Sequence, residues 1–417
     1  MNVPAPEPRP GPFGIYFHIP FCLAKCPYCD FVSIPVGSSA FGRSPVRSSA
    51  FRRDPGNSRL KAELRTQEYD RILAALPREL ELALAAHPDL RGRGLDSVYF
   101  GGGTPSLLPA EVVAELIRRT FAAFAPWLPV EVTLECNPIS AEIERLAAYR
   151  DAGVTRISLG VQSFDPTILK ALGRLHTADE AREAVWRTRS LHLDSWGLDL
   201  IFGAPGSSLD QWRDDLGKTI ACAPPHISIY GLTLHEGTLM FDRHARGEIA
   251  LPGDEEQRAM FLEARRTLTA AGWRHYEISN YARPGHESRH NRLYWTGGEY
   301  VGLGVAAHSY FGGRRYANPS ALRDYLTAVE SGRWPAVAEP VPSVRSGRGE
   351  RIMLGLRQCG GFDPSELSAA LGGGFVDEYH AEIRDLVQRG LLIATPGNVR
   401  LSEEGLLLSD LVFETFF

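Results

Sequence analysis

Six short runs of β-branched and aromatic residues alternate with amphipathic stretches in the first part of this 417-residue chain. Such alternation predicts a parallel sheet with right-handed crossovers, because each helix carries the chain back to start the next strand in the same direction. The predicted strands are 14–19, 97–101, 131–136, 156–161, 197–202 and 227–234. We therefore expect an α/β fold, an incomplete (β/α)6 TIM-like barrel with functional groups at the carboxyl ends of its strands.

Composition and turn residues divide the chain into units. In order, these are a flexible N-terminus at 1–13, the core barrel at 14–240, a barrel-closing extension at 241–340 and a C-terminal domain at 341–417. Within the core, the Ser/Arg/Pro-rich stretch 37–68 contains an imperfect ten-residue repeat and is predicted to be a mobile insertion.

The C-terminal pattern predicts a winged-helix-like α+β domain. A turn-rich boundary at 342–349 precedes three predicted helices at 351–357, 365–371 and 376–389, followed by a hairpin that turns at 396–398. The would-be recognition helix carries Asp377, Glu378, Glu382 and Asp385, which phosphates would repel. We expect this domain to pack on the barrel or to contact a partner protein.

Three cysteines follow the first predicted strand with the spacing Cys-x3-Cys-x2-Cys, at Cys22, Cys26 and Cys29. Three thiolates on a short loop can hold three irons of a cubane cluster and leave the fourth iron without a protein ligand. A zinc site that uses His18 as the fourth ligand, or free cysteines in a core, are the alternatives. The spacing and the loop position favour a 4Fe-4S cluster with an open iron.

Glycines and polar residues mark the ends of the next strands. The turn Gly101-Gly-Gly-Thr104 follows the second strand, where missing side chains let the backbone approach a ligand. Glu135 ends the third strand, Gln162 follows the fourth and Asp199 lies in the fifth. One buried polar residue on a strand is commonly a satisfied hydrogen bond, but three on successive strands beside a cysteine loop indicate a site.

Several motifs together resemble the radical S-adenosylmethionine (SAM) superfamily and, within it, the oxygen-independent coproporphyrinogen III oxidase-like proteins. The motifs are Tyr16-Phe-His-Ile-Pro-Phe-Cys22, Gly101-Gly-Gly-Thr-Pro-Ser106, Leu134-Glu-Cys-Asn-Pro138, Leu159-Gly-Val-Gln-Ser-Phe164, Asp199-Leu-Ile-Phe-Gly-Ala-Pro-Gly206 and His290-Asn-Arg-Leu-Tyr-Trp295. The resemblance covers residues 14–415 without the insertion. It implies a radical SAM barrel with a 4Fe-4S cluster and SAM as cofactors.

The resemblance also implies residue roles. Cys22, Cys26 and Cys29 match the cluster ligands. The positions that contact the family's first SAM match Tyr16, Gly102 and Glu135. In the oxidase, a second SAM is contacted at positions that match Tyr28, Gly103, Thr104, Gln162, Arg174, Asp199 and Gly231.

Two departures from the oxidase pattern favour the HemW branch of the family. Phe31 stands where the oxidase has a further cysteine, and 15 residues precede Tyr16 where the oxidase has a longer extension. The branch is associated with binding heme and delivering it to acceptor proteins, so the resemblance implies a heme chaperone. The alternative is oxidative decarboxylation of coproporphyrinogen III.

Heme contacts do not follow from the sequence pattern. The candidates are His290, Arg292, Tyr294 and Trp295, in a segment that also contains His275, His286 and His308. Each histidine is more commonly a packing or hydrogen-bonding residue than an axial ligand.

Charge and cysteine usage limit the compartment and the partners. The formal net charge of -5 argues against a general nucleic-acid binder. Cys136, Cys222 and Cys359 are isolated, which is typical of a reducing compartment, and no run of 18 apolar residues occurs. We expect a cytoplasmic protein whose partners are heme and heme-acceptor proteins, with a homodimer and peripheral membrane contact left open.

Overall fold

The structure, a computed structural model, describes residues 11–36, 59–371 and 378–417, with residues 59–66 described by their backbone alone. Its strands, numbered in chain order, are β1 (Phe13–Ile19), β2 (Phe21–Cys22), β3 (Ile34–Pro35), β4 (Gly94–Gly102), β5 (Ala125–Cys136), β6 (Arg156–Gln162), β7 (Ser195–Phe202), β8 (His226–Gly231), β9 (Arg274–Glu277), β10 (Asn280–Ala282), β11 (Glu299–Leu303), β12 (His308–Phe311), β13 (Arg314–Ala317), β14 (Val337–Ala338), β15 (Leu392–Thr395) and β16 (Asn398–Leu401).

The α-helices fill the connections between these strands. They are α1 (Arg59–Ala86), α2 (Ala110–Ala123), α3 (Ile143–Asp151), α4 (Pro166–Ala171), α5 (Ala178–Ser190), α6 (Leu209–Cys222), α7 (Leu239–Ala245), α8 (Asp254–Ala270), α9 (Arg289–Trp295), α10 (Leu322–Glu330), α11 (Val344–Arg357), α12 (Pro364–Ala370), α13 (His380–Gln388), α14 (Glu403–Leu407) and α15 (Ser409–Glu414). Helix α5 begins with a capping box, since the Thr177 and Glu180 side chains each accept from the other's backbone N–H.

The prediction of a six-stranded parallel barrel core is confirmed. Strands β1, β4, β5, β6, β7 and β8 are neighbours in that order, and each pair is parallel. Beyond β1 the sheet continues with parallel β11 and then with antiparallel β12, β13 and β14. Beyond β8 it continues with antiparallel β10 and β9.

The sheet is curled rather than flat. Gly102 ends β4 and Gly231 ends β8, four strands away, yet both line one cavity. In a flat sheet, four strand spacings of about 4.8 Å would place these two residues roughly 19 Å apart. The curl therefore brings the carboxyl ends of β4, β5, β6, β7 and β8 around a common space.

Several boundaries differ from the sequence predictions, and β4 and β5 begin earlier than predicted, at Gly94 and Ala125. Strand β8 ends at Gly231 rather than at residue 234, because Leu232 packs in a separate apolar cluster with Ile168 and Met240. Helix α1 begins at Arg59, so residues 59–68 belong to a helix and not to the predicted insertion, whose residues 37–58 lie outside the described residues. Helix α11 begins at Val344, inside the predicted turn-rich boundary.

A buried carboxyl group joins α1 to the extension of the sheet. Glu79 is 0% exposed and accepts hydrogen bonds from Gly304 N at 2.7 Å, Asn318 Nδ2 at 2.6 Å and the Tyr325 hydroxyl at 2.7 Å. Burial raises the pKa of Glu79 to about 7, although the three donors oppose this shift. The three donors come from different elements, so this carboxyl group connects α1 to α10 and to the turn after β11.

The last part of the chain has an apolar core of its own, which includes Ile352, Leu386, Val399 and Phe416. The predicted hairpin is formed by β15 and β16. Two acidic residues of the predicted recognition helix face α11: Arg348 pairs with Glu378 at 2.6 Å, and Arg345 pairs with Glu382 at 2.7 Å. Asp385 instead pairs with Arg389 at the end of its own helix, at 3.3 Å. Asp377 lies outside the described residues.

Candidate functional site

A cavity of about 470 Å³ opens at the carboxyl ends of the parallel strands. Its volume lies within the range typical of ligand pockets. The predicted site residues converge on it: the lining includes Cys22, Cys26, Tyr28, Cys29, Gly102, Gly103, Thr104, Glu135, Gln162, Arg174, Asp199 and Gly231. Tyr16 is the exception among the predicted contacts, and its ring lies inside the barrel next to Tyr99.

The cysteine loop, residues 22–33, is held at its ends and in its middle. Its two ends are joined because β2 and β3 pair in parallel, and Val36 N donates to Cys22 O at 2.9 Å. In the middle of the loop, Pro27 O accepts from Met240 N of α7 at 2.8 Å. The loop therefore has a defined conformation that presents its thiols to the cavity.

Polar groups surround the three thiols. Arg174 Nη1 lies 3.3 Å from Cys26 Sγ, and the Thr104 hydroxyl lies 3.6 Å from Cys22 Sγ. Burial raises the pKa of Cys22 and of Cys29, and binding of a metal group would instead favour their thiolate forms. Positive charge and hydroxyl donors beside sulfur atoms are suited to a cluster that carries negative charge.

The zinc alternative required His18 as a fourth ligand. The structure instead engages both nitrogens of the ring: Nδ1 bonds to the Tyr16 hydroxyl at 3.1 Å, and Nε2 bonds to Val32 O at 2.9 Å. Among the described residues, no three His, Cys, Asp or Glu side chains are grouped closely enough to bind one metal ion. Thiols placed in this way fit a cluster in which each iron takes one thiolate.

The glycine turn is needed by the protein's own packing. Gly102 has φ +105°, and a Cβ there would lie 2.6 Å from the His18 ring. A Cβ on Gly103 would lie 2.6 Å from Phe21 O. Missing side chains therefore let β4 pass close to β1 and to the start of the cysteine loop, and they leave the turn's backbone exposed to the cavity.

Glu135 lies on β5 at the cavity wall, and both of its hydrogen-bond partners belong to the neighbouring β4. Its Oε1 accepts from the Tyr99 hydroxyl at 2.8 Å, and its Oε2 accepts from Gly102 N at 3.2 Å. The pKa of Glu135 is raised to about 7: burial and the nearby Asp199 raise it, and the two hydrogen bonds partly oppose this shift. A carboxylate has about four acceptor positions, so Glu135 can still accept hydrogen bonds from a ligand.

Three of the remaining predicted contacts, Gln162, Arg174 and Asp199, line the part of the cavity formed by β6, β7 and the segment after α4. Gln162 has φ +69°, a left-handed conformation that a non-glycine residue rarely adopts and that is common at functional sites. Arg174 donates to Gly160 O at 3.0 Å, while its buried Nε has no partner. Asp199 accepts from the Ser158 hydroxyl at 3.0 Å, and burial raises its pKa.

Sequence reasoning missed several residues of this site. Tyr99 was detectable, because Ser97, Tyr99 and Gly101 alternate along β4 and therefore share its interior face. Tyr230, which is 43% exposed, lines the cavity from the end of β8. His235 and Asp30 contact each other at 3.5 Å on the cavity rim, but nothing in their sequence spacing indicates this pairing.

The four histidines considered for heme lie in different environments. His290 is 1% exposed, and its two ring nitrogens bond to the Ser97 and Tyr294 hydroxyls, each at 2.8 Å. His275 Nε2 bonds to a backbone carbonyl, and His286 Nδ1 bonds to the Ser195 hydroxyl. His308 is exposed and pairs with Glu339.

A second cavity, of about 220 Å³, lies between the barrel extension and α11. Aromatic residues dominate its lining, together with the charged pair formed by Arg315 and Glu350. The lining residues are Tyr294, Trp295, Gly297, Gly298, Tyr300, Tyr310, Arg315, Glu350, Arg351 and Leu354. Two of the four heme candidates, Tyr294 and Trp295, are therefore on this surface, and Arg292 is exposed outside it.

Comparisons with known proteins agree with this geometry. Residues 16–218 match the radical SAM superfamily, and residues 349–408 match the HemN C-terminal domain family. Heme chaperone HemW of Mycobacterium tuberculosis (strain H37Rv) is 35% identical over 94% of this chain and 96% of its own length. The corresponding protein of Escherichia coli (strain K12) is 37% identical over 71% of this chain and 70% of its own length.

The chain belongs to the HemW family.

This HemW family member is also similar to a mitochondrial protein and to a solved structure. Radical S-adenosyl methionine domain-containing protein 1 of Bos taurus is 32% identical over 97% of this chain and 87% of its own length. Coproporphyrinogen III oxidase (HemN) from Escherichia coli superposes with a TM-score of 0.77 at 20% identity, covering 98% of this chain and 90% of that structure. The second likeness confirms the fold, with a radical SAM barrel and a HemN-type C-terminal domain.

Membership of the radical SAM superfamily implies a 4Fe-4S cluster and SAM as cofactors, and the HemW chain described here has residues that fit both. Three thiols lie on one ordered loop beside a cavity, an unpartnered guanidinium nitrogen of Arg174 is buried there, and the glycine turn exposes its backbone. Within the ranges that the structure describes, no helix has both the length and the apolar character needed to cross a bilayer.

Proposed function

We propose that this protein is a heme chaperone that holds a 4Fe-4S cluster through Cys22, Cys26 and Cys29, binds SAM in the cavity at the barrel mouth, and transfers heme to acceptor proteins. The observation that carries the proposal is the similarity, over nearly the full length of the chain, to proteins named heme chaperone, with 35% identity to the Mycobacterium tuberculosis protein. The convergence of the predicted cofactor contacts on one cavity supports it independently.

The chain's own residues supply binding and orientation. Gly102 and Glu135 are placed to hold the amine and ribose of SAM, with Tyr16 packed behind them. Arg174 is placed to pair with a carboxylate, and Gln162, Asp199, Tyr28, Gly103, Thr104 and Gly231 complete the proposed contacts. When bound, the cluster and SAM supply one-electron chemistry at the sulfonium, and the curled sheet limits access of water.

Heme is proposed as cargo, with heme-acceptor proteins as partners. Tyr294 and Trp295 offer aromatic surface for a flat ring, and the nearby Arg315 and Arg351 offer positive charge for carboxylates. His290 can act as an axial ligand only if one of its two buried hydrogen bonds breaks. We therefore place heme contacts outside the SAM cavity.

The test is anaerobic reconstitution of the cluster, followed by heme titration and a coproporphyrinogen III turnover assay on the same preparation. We expect stoichiometric heme binding, visible as a Soret band, and no turnover above the background without protein. Transfer is then measured by mixing the heme-loaded protein with an apo-hemoprotein and following the acceptor's spectrum.

Turnover of coproporphyrinogen III by the wild-type protein would overturn the chaperone proposal in favour of the oxidase. Phe31, which is 58% exposed and lines the cavity, stands where the oxidase has a further cysteine. We expect Phe31→Cys to remain inactive in the turnover assay. Failure of the wild-type protein to bind heme would also reject the chaperone assignment.

A further inference from the structure

Three aromatic rings from three different elements pack together inside the barrel, behind the cavity wall. The rings of Tyr99 and His290 stack with their centroids 5.1 Å apart. The Tyr16 ring lies 6.1 Å from that of Tyr99 and 6.4 Å from that of His290. Gly101 leaves room for this packing, since a Cβ there would lie 2.8 Å from the Tyr99 ring and 3.2 Å from Glu135 Oε1.

This group reaches the cavity through one hydrogen bond. The Tyr99 hydroxyl donates to Glu135 Oε1 at 2.8 Å, and Glu135 lines the cavity. The other oxygen of Glu135 is held by Gly102 N of the glycine turn. Any movement of the Tyr99 ring would therefore change the direction or the strength of the bond that orients the carboxylate.

Hydrogen bonds at both ring nitrogens hold His290 in addition to its packing. Its Nδ1 bonds to the Ser97 hydroxyl on β4 and its Nε2 bonds to the Tyr294 hydroxyl one turn further along α9. The ring is 1% exposed, so each lost bond would leave a buried polar group without a partner. The orientation of the His290 ring, against which Tyr99 stacks, is therefore fixed by hydrogen bonds at both of its nitrogens.

The helix that carries His290 is itself attached to the barrel. Glu131 of β5 accepts from Arg289 N at 3.0 Å and from His290 N at 3.1 Å, and the Arg289 side chain pairs with Asp96. Glu131 and Glu135 are four residues apart on one strand and therefore face the same side of it. Strand β5 therefore holds α9 through Glu131 and presents Glu135 to the cavity.

We propose that His290 is a positioning residue of the SAM site, and that it acts through Tyr99 on the carboxylate of Glu135. The inference deepens the proposed function and rests on the proposed SAM site. It assigns to the His290-Asn-Arg-Leu-Tyr-Trp295 motif a task inside the barrel that is separate from heme contact. His290 holds Tyr99, Tyr99 holds Glu135, and Glu135 receives the cationic ligand.

The protonation of Glu135 gives a readout that general loss of packing would not change. The titratable groups that face Glu135 are Asp199 of β7 and the tyrosines of four other elements, namely Tyr16, Tyr99, Tyr230 and Tyr294. Because SAM is a cation, the ionised carboxylate is the form that binds it. The Tyr99 bond lowers the pKa of Glu135, so losing that bond moves the loss of SAM affinity to higher pH.

The experiment measures SAM affinity by calorimetry between pH 6 and pH 9 on cluster-reconstituted protein. The variants are Tyr99→Phe, which keeps the ring and removes the hydroxyl, and His290→Ala. We expect roughly tenfold weaker SAM binding at pH 7 in Tyr99→Phe, as for loss of a hydrogen bond to a charged group, and a smaller loss in His290→Ala. In both variants the pH at which affinity falls should be higher than in the wild type.

His275→Ala is the matched control. His275 is also a buried histidine that stacks on a tyrosine, with its ring centroid 4.2 Å from that of Tyr281, but it lies on β9 at the edge of the sheet. It should lose stability without changing the pH profile. Unchanged SAM affinity and an unchanged profile in Tyr99→Phe would overturn the inference even if His290→Ala does not fold.

Heme titration of the same variants separates this inference from the proposed function. A folded His290→Ala protein with a normal SAM profile and no Soret band would show that His290 is a heme ligand, and would reject the positioning role. A shifted SAM profile with retained heme binding is the expected result. If the wild type binds SAM but no heme, the chaperone proposal fails and the SAM profiles still decide the positioning role.

Discussion

Two buried carboxyl groups in this protein have similar pKa shifts and different surroundings. Burial raises the pKa of both Glu79 and Glu135 to about 7. Glu79 accepts from three donors of the protein, in a region closed by α1, α10 and the turn after β11. Glu135 accepts from two donors and lies on a cavity. The perturbed pKa alone therefore does not identify a functional residue; the unused acceptor capacity and the adjacent cavity do.

The largest effect is expected where the cavity region meets the cluster. Replacing Cys22, Cys26 or Cys29 by Ala should abolish the absorbance of the reconstituted cluster at roughly 400 nm, because two thiolates hold a cubane poorly. Cys222→Ala should leave the absorbance unchanged, since Cys222 ends α6 away from the cavity lining. Loss of the absorbance in Cys222→Ala would show that a fourth cysteine takes part.

Glu79→Ala tests the closed region. The change leaves Gly304 N, Asn318 Nδ2 and the Tyr325 hydroxyl without their acceptor. At about 1–3 kcal/mol for each unsatisfied buried group, the free energy of unfolding should fall by roughly 3 kcal/mol or more. Urea denaturation measures this loss. SAM affinity of the folded variant should equal that of the wild type, and a specific loss of SAM affinity would break the comparison.

Glu135→Ala tests the region around the cavity. We expect it to reduce SAM affinity more and stability less than Glu79→Ala does. SAM affinity should fall by roughly 1–3 kcal/mol, because a charged contact with the ligand is lost. The free energy of unfolding should change by less than in Glu79→Ala, since fewer protein donors lose their partner. Calorimetry on the reconstituted protein measures the affinity. Equal SAM affinity in Glu135→Ala and the wild type would remove Glu135 from the site.

A pH dependence of stability is expected in both regions. Each folded-state pKa, at about 7, lies above the ordinary value of 4.5. Between these values the native state retains a proton that the unfolded chain releases, so stability is greatest below about pH 4.5 and declines as the pH rises toward 7. At about 1.4 kcal/mol for each unit of pKa shift, the decline should be on the order of 3 kcal/mol per group over the whole interval.

Replacing Glu79 or Glu135 by Gln should make the free energy of unfolding of the cluster-free protein depend less on pH, because the titrating group is removed. Urea denaturation at several pH values between 5 and 8 gives the slopes. Equal slopes for the wild type, Glu79→Gln and Glu135→Gln would show that neither group is protonated abnormally in the folded state.

The barrel core was predictable because its strands are buried on both faces and read as apolar runs. Glu135, Gln162 and Asp199 were predictable as site candidates because they interrupt those runs, and the structure brings them to one cavity. The part of the site that the sequence did not reveal depends on contacts across long separations. Tyr99 pairs with Glu135 over 36 residues, and Glu79 meets Tyr325 over 246 residues.

The strand predicted to continue to residue 234 shows a second limit. Its apolar residues after Gly231 pack in a separate cluster with α4 and α7, and an apolar run gives no indication of which core it joins. The same ambiguity applied to His290, whose motif suggested a surface for heme, whereas the structure buries its ring and engages both of its nitrogens.

The attachment of the cysteine loop at its ends and at Pro27 has a consequence for how the cluster is acquired. Ordering a free backbone segment costs about 1–2 kcal/mol per residue, and the contacts at the loop ends and at Pro27 offset part of that cost without involving iron. We expect these contacts to hold the loop in the cluster-free protein as well, so that circular dichroism in the far ultraviolet stays constant as the cluster is inserted. A cluster donor would then meet three thiols that face one opening, and we expect the rate of maturation to depend on the encounter with the donor rather than on a folding step of this loop.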